Sequence, residues 1–172
     1  MSIFHLKYPR LKHEENSLRG IGEAKRRGKT EIDIDMNPDA LRNIYGYHWL
    51  YLMLKDGFRD PKRLLDKHTA GDHMSPEEIS RLVAGRWPRR YRVSRIEVLM
   101  KRCARKRIGA RLEPKHPMFT EVEPWLHLAD VADDLGCTVR MYALREHAGD
   151  PRFGEKCVAA AKKAGIPGKV IY

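Results

Sequence analysis

Thr30-Glu31-Ile32-Asp33-Ile34-Asp35-Met36 alternates without a break between polar and apolar residues. Ile32, Ile34 and Met36 fall on one face of an extended strand, and Glu31, Asp33 and Asp35 on the other. The plain reading of that second face is a solvated outer surface, the common state of an amphipathic strand. The alternative is a use for carboxylates. Like charges two residues apart on one face repel unless a cation sits between them or one stays protonated. Upstream, Leu18, Ile21 and Ala24 lie at helical spacing, Lys25, Arg26 and Arg27 crowd the last turn, and Gly28 follows. This predicts a helix over 16–27. Downstream, Asn37-Pro38-Asp39 marks a turn, and the run 44–48 reads as a strand ending on His48. A divalent cation on the carboxylates, with an acid–base histidine near it, is the first functional expectation.

The rest of the chain repeats the strand–helix alternation. Strands are expected near residues 3–7, 31–36, 44–48, 110–115, 138–143 and 169–172, six in all. Residues 54–74 form a small irregular polar insertion. Ser75-Pro76-Glu77-Glu78 opens a helix, with serine as cap and proline at the first position. Ser94 with Glu97 predicts a second capping box, opening a basic helix to about Arg107 that buries Ile96, Leu99, Met100 and Cys103. A third helix, about 121–135, is expected to bury Val122, Trp125, Leu126, Ala129 and Ala132 and to end at Gly136. The last covers about 151–164. Strands alternating with helices predict an α/β architecture with parallel strands.

The 172 residues make one domain with a core of ordinary size. No apolar run is long enough to span a bilayer, and charge interrupts the first residues at once, so a cytoplasmic protein is expected. Cys103, Cys137 and Cys157 are widely spaced, which fits reduced packed residues and not a zinc site or disulfide framework. The net charge of +11 is concentrated in runs at 25–29, 86–95 and 101–111. A solvated basic face is the default reading, and such a surface also suits phosphate-bearing partners: nucleic acid, anionic lipid headgroups or phosphorylated small molecules. No nucleic-acid-binding motif accompanies it.

In order along the chain, several pieces resemble the glycerophosphodiester phosphodiesterase family. Glu15-Asn16-Ser17-Leu18 is similar to that family's Pro-Glu-Asn-Thr helix start, Gly28 sits at the expected spacing, Asp33-Ile34-Asp35 falls at its E-x-D strand, and His48 at its second histidine. Val93-Ser94-Arg95-Ile96-Glu97-Val98-Leu99 resembles its next helix start, and Leu112-Glu113-Pro114-Lys115 its E-x-K strand. The resemblance covers about residues 3–145. The chain departs from the family at Leu6, where an arginine follows the first histidine, at Asp33, which replaces glutamate, at Trp49, which replaces aspartate, and at Pro114 within the strand.

The resemblance implies a TIM-type (β/α) barrel of the phospholipase-C-like phosphodiesterase kind, incomplete here, since such barrels run to about 250 residues. It implies hydrolysis of glycerophosphodiesters or related small diesters, with His5 and His48 as acid and base. Asp33, Asp35 and Glu113 would hold Mg²⁺ or Ca²⁺, and Lys115 and Lys7 would meet the substrate phosphate. The competing reading is a catalytically degenerate barrel that binds an anionic partner, phosphorylated ligand or nucleic acid. Self-association is left open.

Overall fold

β2 (Glu31–Pro38) organises the molecule because three other strands hydrogen-bond to it. The computed structural model describes residues 3–4, 16–47, 77, 80, 93–142, 150–166 and 170–171. One edge of β2 is covered along its length by β5 (Gly109–Pro114), parallel and in the register Glu31↔Gly109 to Met36↔Pro114. The other edge is shared. β1 (Ile3–Phe4) runs parallel against Glu31 and Ile32, and β3 (Ile44–Gly46) runs antiparallel against Met36 to Pro38. β4 (Ser94–Arg95) adds antiparallel to β3, while β6 (Val139–Tyr142) and β7 (Val170–Ile171) extend the far side in parallel.

The five parallel strands thus stand side by side in chain order, β1-β2-β5-β6-β7. α1 (Leu18–Arg26), α2 (Ile96–Lys106), α3 (Glu123–Leu135) and α4 (Phe153–Lys163) fall between successive members of that row and pack each against the next. This is the strand and helix order of the wall of a (β/α) barrel. Among the described residues it does not close, because β7 has no pairing with β1.

One continuous apolar core fills the space between sheet and helices. β2 contributes Ile32, Ile34 and Met36, β5 Ala110 and Leu112, and β6 Val139 and Met141, all at alternate positions as the pleat requires. α1 starts where Ser17 Oγ accepts the Gly20 N–H at 2.9 Å. It stops at Gly28, whose φ of +69° is a left-handed conformation that glycine adopts without penalty. Gly136, φ +58°, ends α3 in the same way. α2 buries Ile96, Leu99, Met100 and Cys103, as expected. The three cysteines are free and buried, and burial pushes the thiols of Cys137 and Cys157 up to about 11 and about 12. They behave as small apolar residues.

Four expectations need correction. The run at 44–48 contains a strand, but an antiparallel one. Ser94 caps no helix: it pairs with Gly46 in β4, a seventh strand, and Arg95 takes the N-cap position without a side-chain cap bond. In α3, Leu126 is 46% exposed and Leu128 takes the core position. Leu18 lies at the solvent edge of α1, 39% exposed. The insertion 54–74 and the helix start at Ser75 fall outside the described residues, apart from Glu77 and Ser80, which are helical. No helix among the described residues is long and apolar enough to cross a membrane.

Candidate functional site

The second face of the sheet is where the structure departs most from an ordinary amphipathic strand. Glu31, Asp35 and Asn37 of β2, Arg111 and Glu113 of β5, and Lys115 directly after it are all buried. The Asp33 side chain is 8% exposed. A solvated outer face is therefore excluded. Charges taken from water this completely must be compensated, and here they are compensated across strands, in three tiers.

At the N-terminal end of the sheet, Arg140 Nε of β6 meets Glu31 Oε1 at 2.8 Å. In the middle tier Arg111 Nε lies 2.9 Å from Asp33 Oδ1, an ion pair whose N–H is not aligned along the contact. The Arg111 guanidinium stacks over the Tyr142 ring, 4.3 Å from its centroid. At the C-terminal ends of the strands Asp35 and Glu113 are direct register partners, and the Lys115 ammonium bridges them, 3.2 Å from Asp35 Oδ1 and hydrogen-bonded to Glu113 Oε1. In parallel β/α architectures reactive groups gather at this end of the sheet.

Asp35 is the most firmly held member. Asn16, in the left-handed region at φ +52°, donates from Nδ2 to Asp35 Oδ2 at 2.8 Å and accepts the Asp35 backbone N–H through Oδ1 at 3.0 Å. Asn16, directly before the Ser17 N-cap of α1, thus fixes the carboxylate of a strand residue nineteen positions on. The chain leaving β3 is tied to the same place: Tyr47 N–H donates to Asp35 O at 3.1 Å, and Asn37 Nδ2 donates to Tyr47 O at 3.0 Å.

Burial raises the Glu113 carboxyl above its ordinary value; the Lys115 charge opposes that rise, and the Asp35 and Asp33 charges add to it. For Lys115, burial works to lower the ammonium, but Asp35 and Glu113 together outweigh it and hold the pKa above the ordinary lysine value. Lys115 is therefore cationic at neutral pH, and Glu113 takes up a proton more readily than an ordinary glutamate. The neighbouring His116 is half-buried, which lowers its pKa. Its Nδ1 accepts the Met118 N–H at 3.1 Å and so caps the short 3₁₀ helix Pro117–Thr120.

Of the residues singled out in the sequence, Asp35, Glu113 and Lys115 come together. Asp33 lies one tier below, engaged by Arg111. No group of three or more His, Cys, Asp or Glu side chains placed to hold a metal ion occurs among the described residues. His5, Lys7 and His48 lie outside the described residues; in sequence, His5 directly follows β1 and His48 directly follows Tyr47. Asn16, Arg111 and Tyr142 had no assigned role. Arg111 was detectable in principle: it precedes Glu113 by two and Lys115 by four, on the same strand face.

No protein-family model matches the chain, and no curated protein does. Solved structures match in fold. A candidate glycerophosphodiester phosphodiesterase from Galdieria sulphuraria superposes with a TM-score of 0.63 at 15% identity, over 93% of this chain and 58% of its own length. A glycerophosphodiester phosphodiesterase from Parabacteroides distasonis does so with a TM-score of 0.57 at 14% identity, over 97% of this chain and 71% of its own. The chain spans little more than half the length of the first and under three quarters of the second. Its fold is that of these barrel proteins, over part of their length.

Proposed function

We propose that this chain is a phosphodiesterase acting on glycerophosphodiesters or related small phosphodiesters, with its chemistry at the Asp35–Glu113–Lys115 cluster. The observation that carries this reading is the bridging of two register-paired, buried carboxylates by one ammonium at the C-terminal end of a sheet with this fold.

The donor chemistry of the cluster fits a hard divalent cation. Asp35 and Glu113 offer carboxylate oxygens, which suit Mg²⁺ or Ca²⁺, and Glu113 resists ionisation because burial outweighs the positive charge nearby. These two residues would hold the ion, with Asp33 as a third ligand if freed from Arg111. Bound there, it would polarise a phosphoryl oxygen. Lys115 donates to the non-bridging oxygens as negative charge grows on them. Asn16 keeps the Asp35 carboxylate in one orientation. His5 and His48 act as the proton-transfer pair, and Lys7 assists at the phosphate.

A second reading, an anion-binding module without turnover, draws support from the pairing of Asp33 with Arg111. Product release from bis-p-nitrophenyl phosphate, followed with Mg²⁺, Ca²⁺ or EDTA, separates the two. Metal-dependent release, lost in Glu113→Gln and His48→Ala, establishes the enzyme. No release under any metal, together with phosphate binding lost in Lys115→Met, establishes the module.

A further inference from the structure

One flank of the described residues is strongly basic. α1 and α2 with their C-caps, residues 18–27 and 96–107, carry nine Lys and Arg against two acids, Glu23 and Glu97, a net +7 of the chain's +11. α3 with its cap, residues 123–136, carries four acids and no Lys or Arg. The two basic helices lie against each other: Lys25 Nζ donates to Arg107 O at 3.2 Å, and Arg102 Nη2 lies over Gly22, 3.6 Å from where a Cβ would stand. Their basic ends therefore form one surface, at the opposite end of the sheet from Lys115.

Basic last turns offset a helix dipole, but that does not account for this flank. Lys101 is midway along α2 and exposed. α3 ends on Asp133 and Asp134 with no basic residue in its last turn. Among the described residues Arg26 and Arg27 both pair with the one carboxylate of Glu23. Of the exposed large apolar side chains among the described residues, Leu18 and Val98 belong to α1 and α2 but stand near their N-terminal ends, away from the basic last turns.

We propose that the α1–α2 flank docks the phosphate backbone of a nucleic acid, independently of the cluster at the other end of the sheet. Arginine dominates the flank, and its planar fork suits phosphate oxygens. Without aromatic side chains to stack bases, binding is electrostatic and insensitive to sequence.

The test is fluorescence anisotropy with a labelled mixed-sequence DNA duplex and an RNA single strand, each about twenty nucleotides long, between roughly 50 and 200 mM salt. The wild type binds and weakens steeply with salt. Arg26→Gln/Lys101→Gln/Arg105→Gln, three exposed positions, makes the plot of log affinity against log salt for the duplex shallower by about 3, near 0.9 for each phosphate no longer neutralised. Lys162→Gln/Lys163→Gln on α4, with circular dichroism as a folding control on both variants, binds as the wild type does. No binding at low salt overturns the proposal, as does a triple variant indistinguishable from wild type. Binding to phosphatidylserine vesicles but to neither nucleic acid overturns it in favour of a membrane surface.

Discussion

Replacing Lys115 with methionine keeps most of the side-chain volume and removes the ammonium that touches both Asp35 and Glu113. Two buried carboxylates are then left as register partners without that counter-charge. Breaking a buried pair in this way costs about 3–5 kcal/mol, which for a domain of this size lowers the melting temperature by roughly 6–20 °C. The loss carries a pH signature. A carboxyl whose folded pKa is raised, as burial raises that of Glu113, binds its proton more tightly in the folded than in the unfolded state. Its burial is therefore free below the ordinary value of 4.5, and stability falls as pH climbs from there through the folded value. Lys115 holds that value down, so the variant's penalty is small near pH 4.5 and grows as pH rises toward the variant's own, higher folded value. In the wild type the lysine's own contribution, with its pKa raised above 10.5, persists to pH 8 and is lost only as pH rises through the folded value. Urea unfolding followed by intrinsic tryptophan fluorescence, to which the fully buried Trp125 contributes, reads both effects. Glu113→Gln added to Lys115→Met should recover at least about 1 kcal/mol at pH 8. A loss that is the same at pH 5 and pH 8, or a double variant no better than the single, would refute the electrostatic account.

Two further substitutions probe how the cluster and the core beneath it are held. Asn16→Ala removes both hydrogen bonds to Asp35 and leaves a non-glycine residue at φ +52°, costing about 2–4 kcal/mol in the same unfolding assay. Asn16→Gly, which tolerates that conformation, should cost about 1 kcal/mol less; equal losses would show that the backbone conformation contributes nothing. Gly46→Ala brings a Cβ within 2.2 Å of Leu99 Cδ1 and 3.1 Å of Ile34 Cγ2, both side chains fully buried. The expected cost is about 1–3 kcal/mol by thermal melting, and no measurable shift would mean that Leu99 can swing aside.

Local pattern revealed the parts of this fold that local physics decides. The α1 stop at Gly28, the buried stripe of α2 and the apolar face of β2 all follow from spacing within a few residues. What stayed hidden depends on distant partners. Glu31, Asp33 and Asp35 look solvated in sequence because the groups that let them be buried, Arg140, Arg111 and Lys115, lie 78 to 109 residues away on other strands. The antiparallel β3–β4 pair escaped for the same reason. Gly46 and Ser94 are far apart in the chain, and the serine carries a helix-start signature that strand pairing overrides. Asp35, Glu113 and Lys115 were legible as a group, whereas the roles of Asn16 and Arg111 required the register of β2 on β5.

The tiers of charge give β2 a consequence for how mutations will sort along it. One strand thickness separates two media: an apolar one that touches Ile32, Ile34 and Met36, and an ionic one that touches Glu31, Asp33 and Asp35. A saturation scan of residues 31–36, scored for folding, should therefore read as a parity code. Losses at even-numbered positions should track side-chain volume. Losses at odd-numbered positions should track charge.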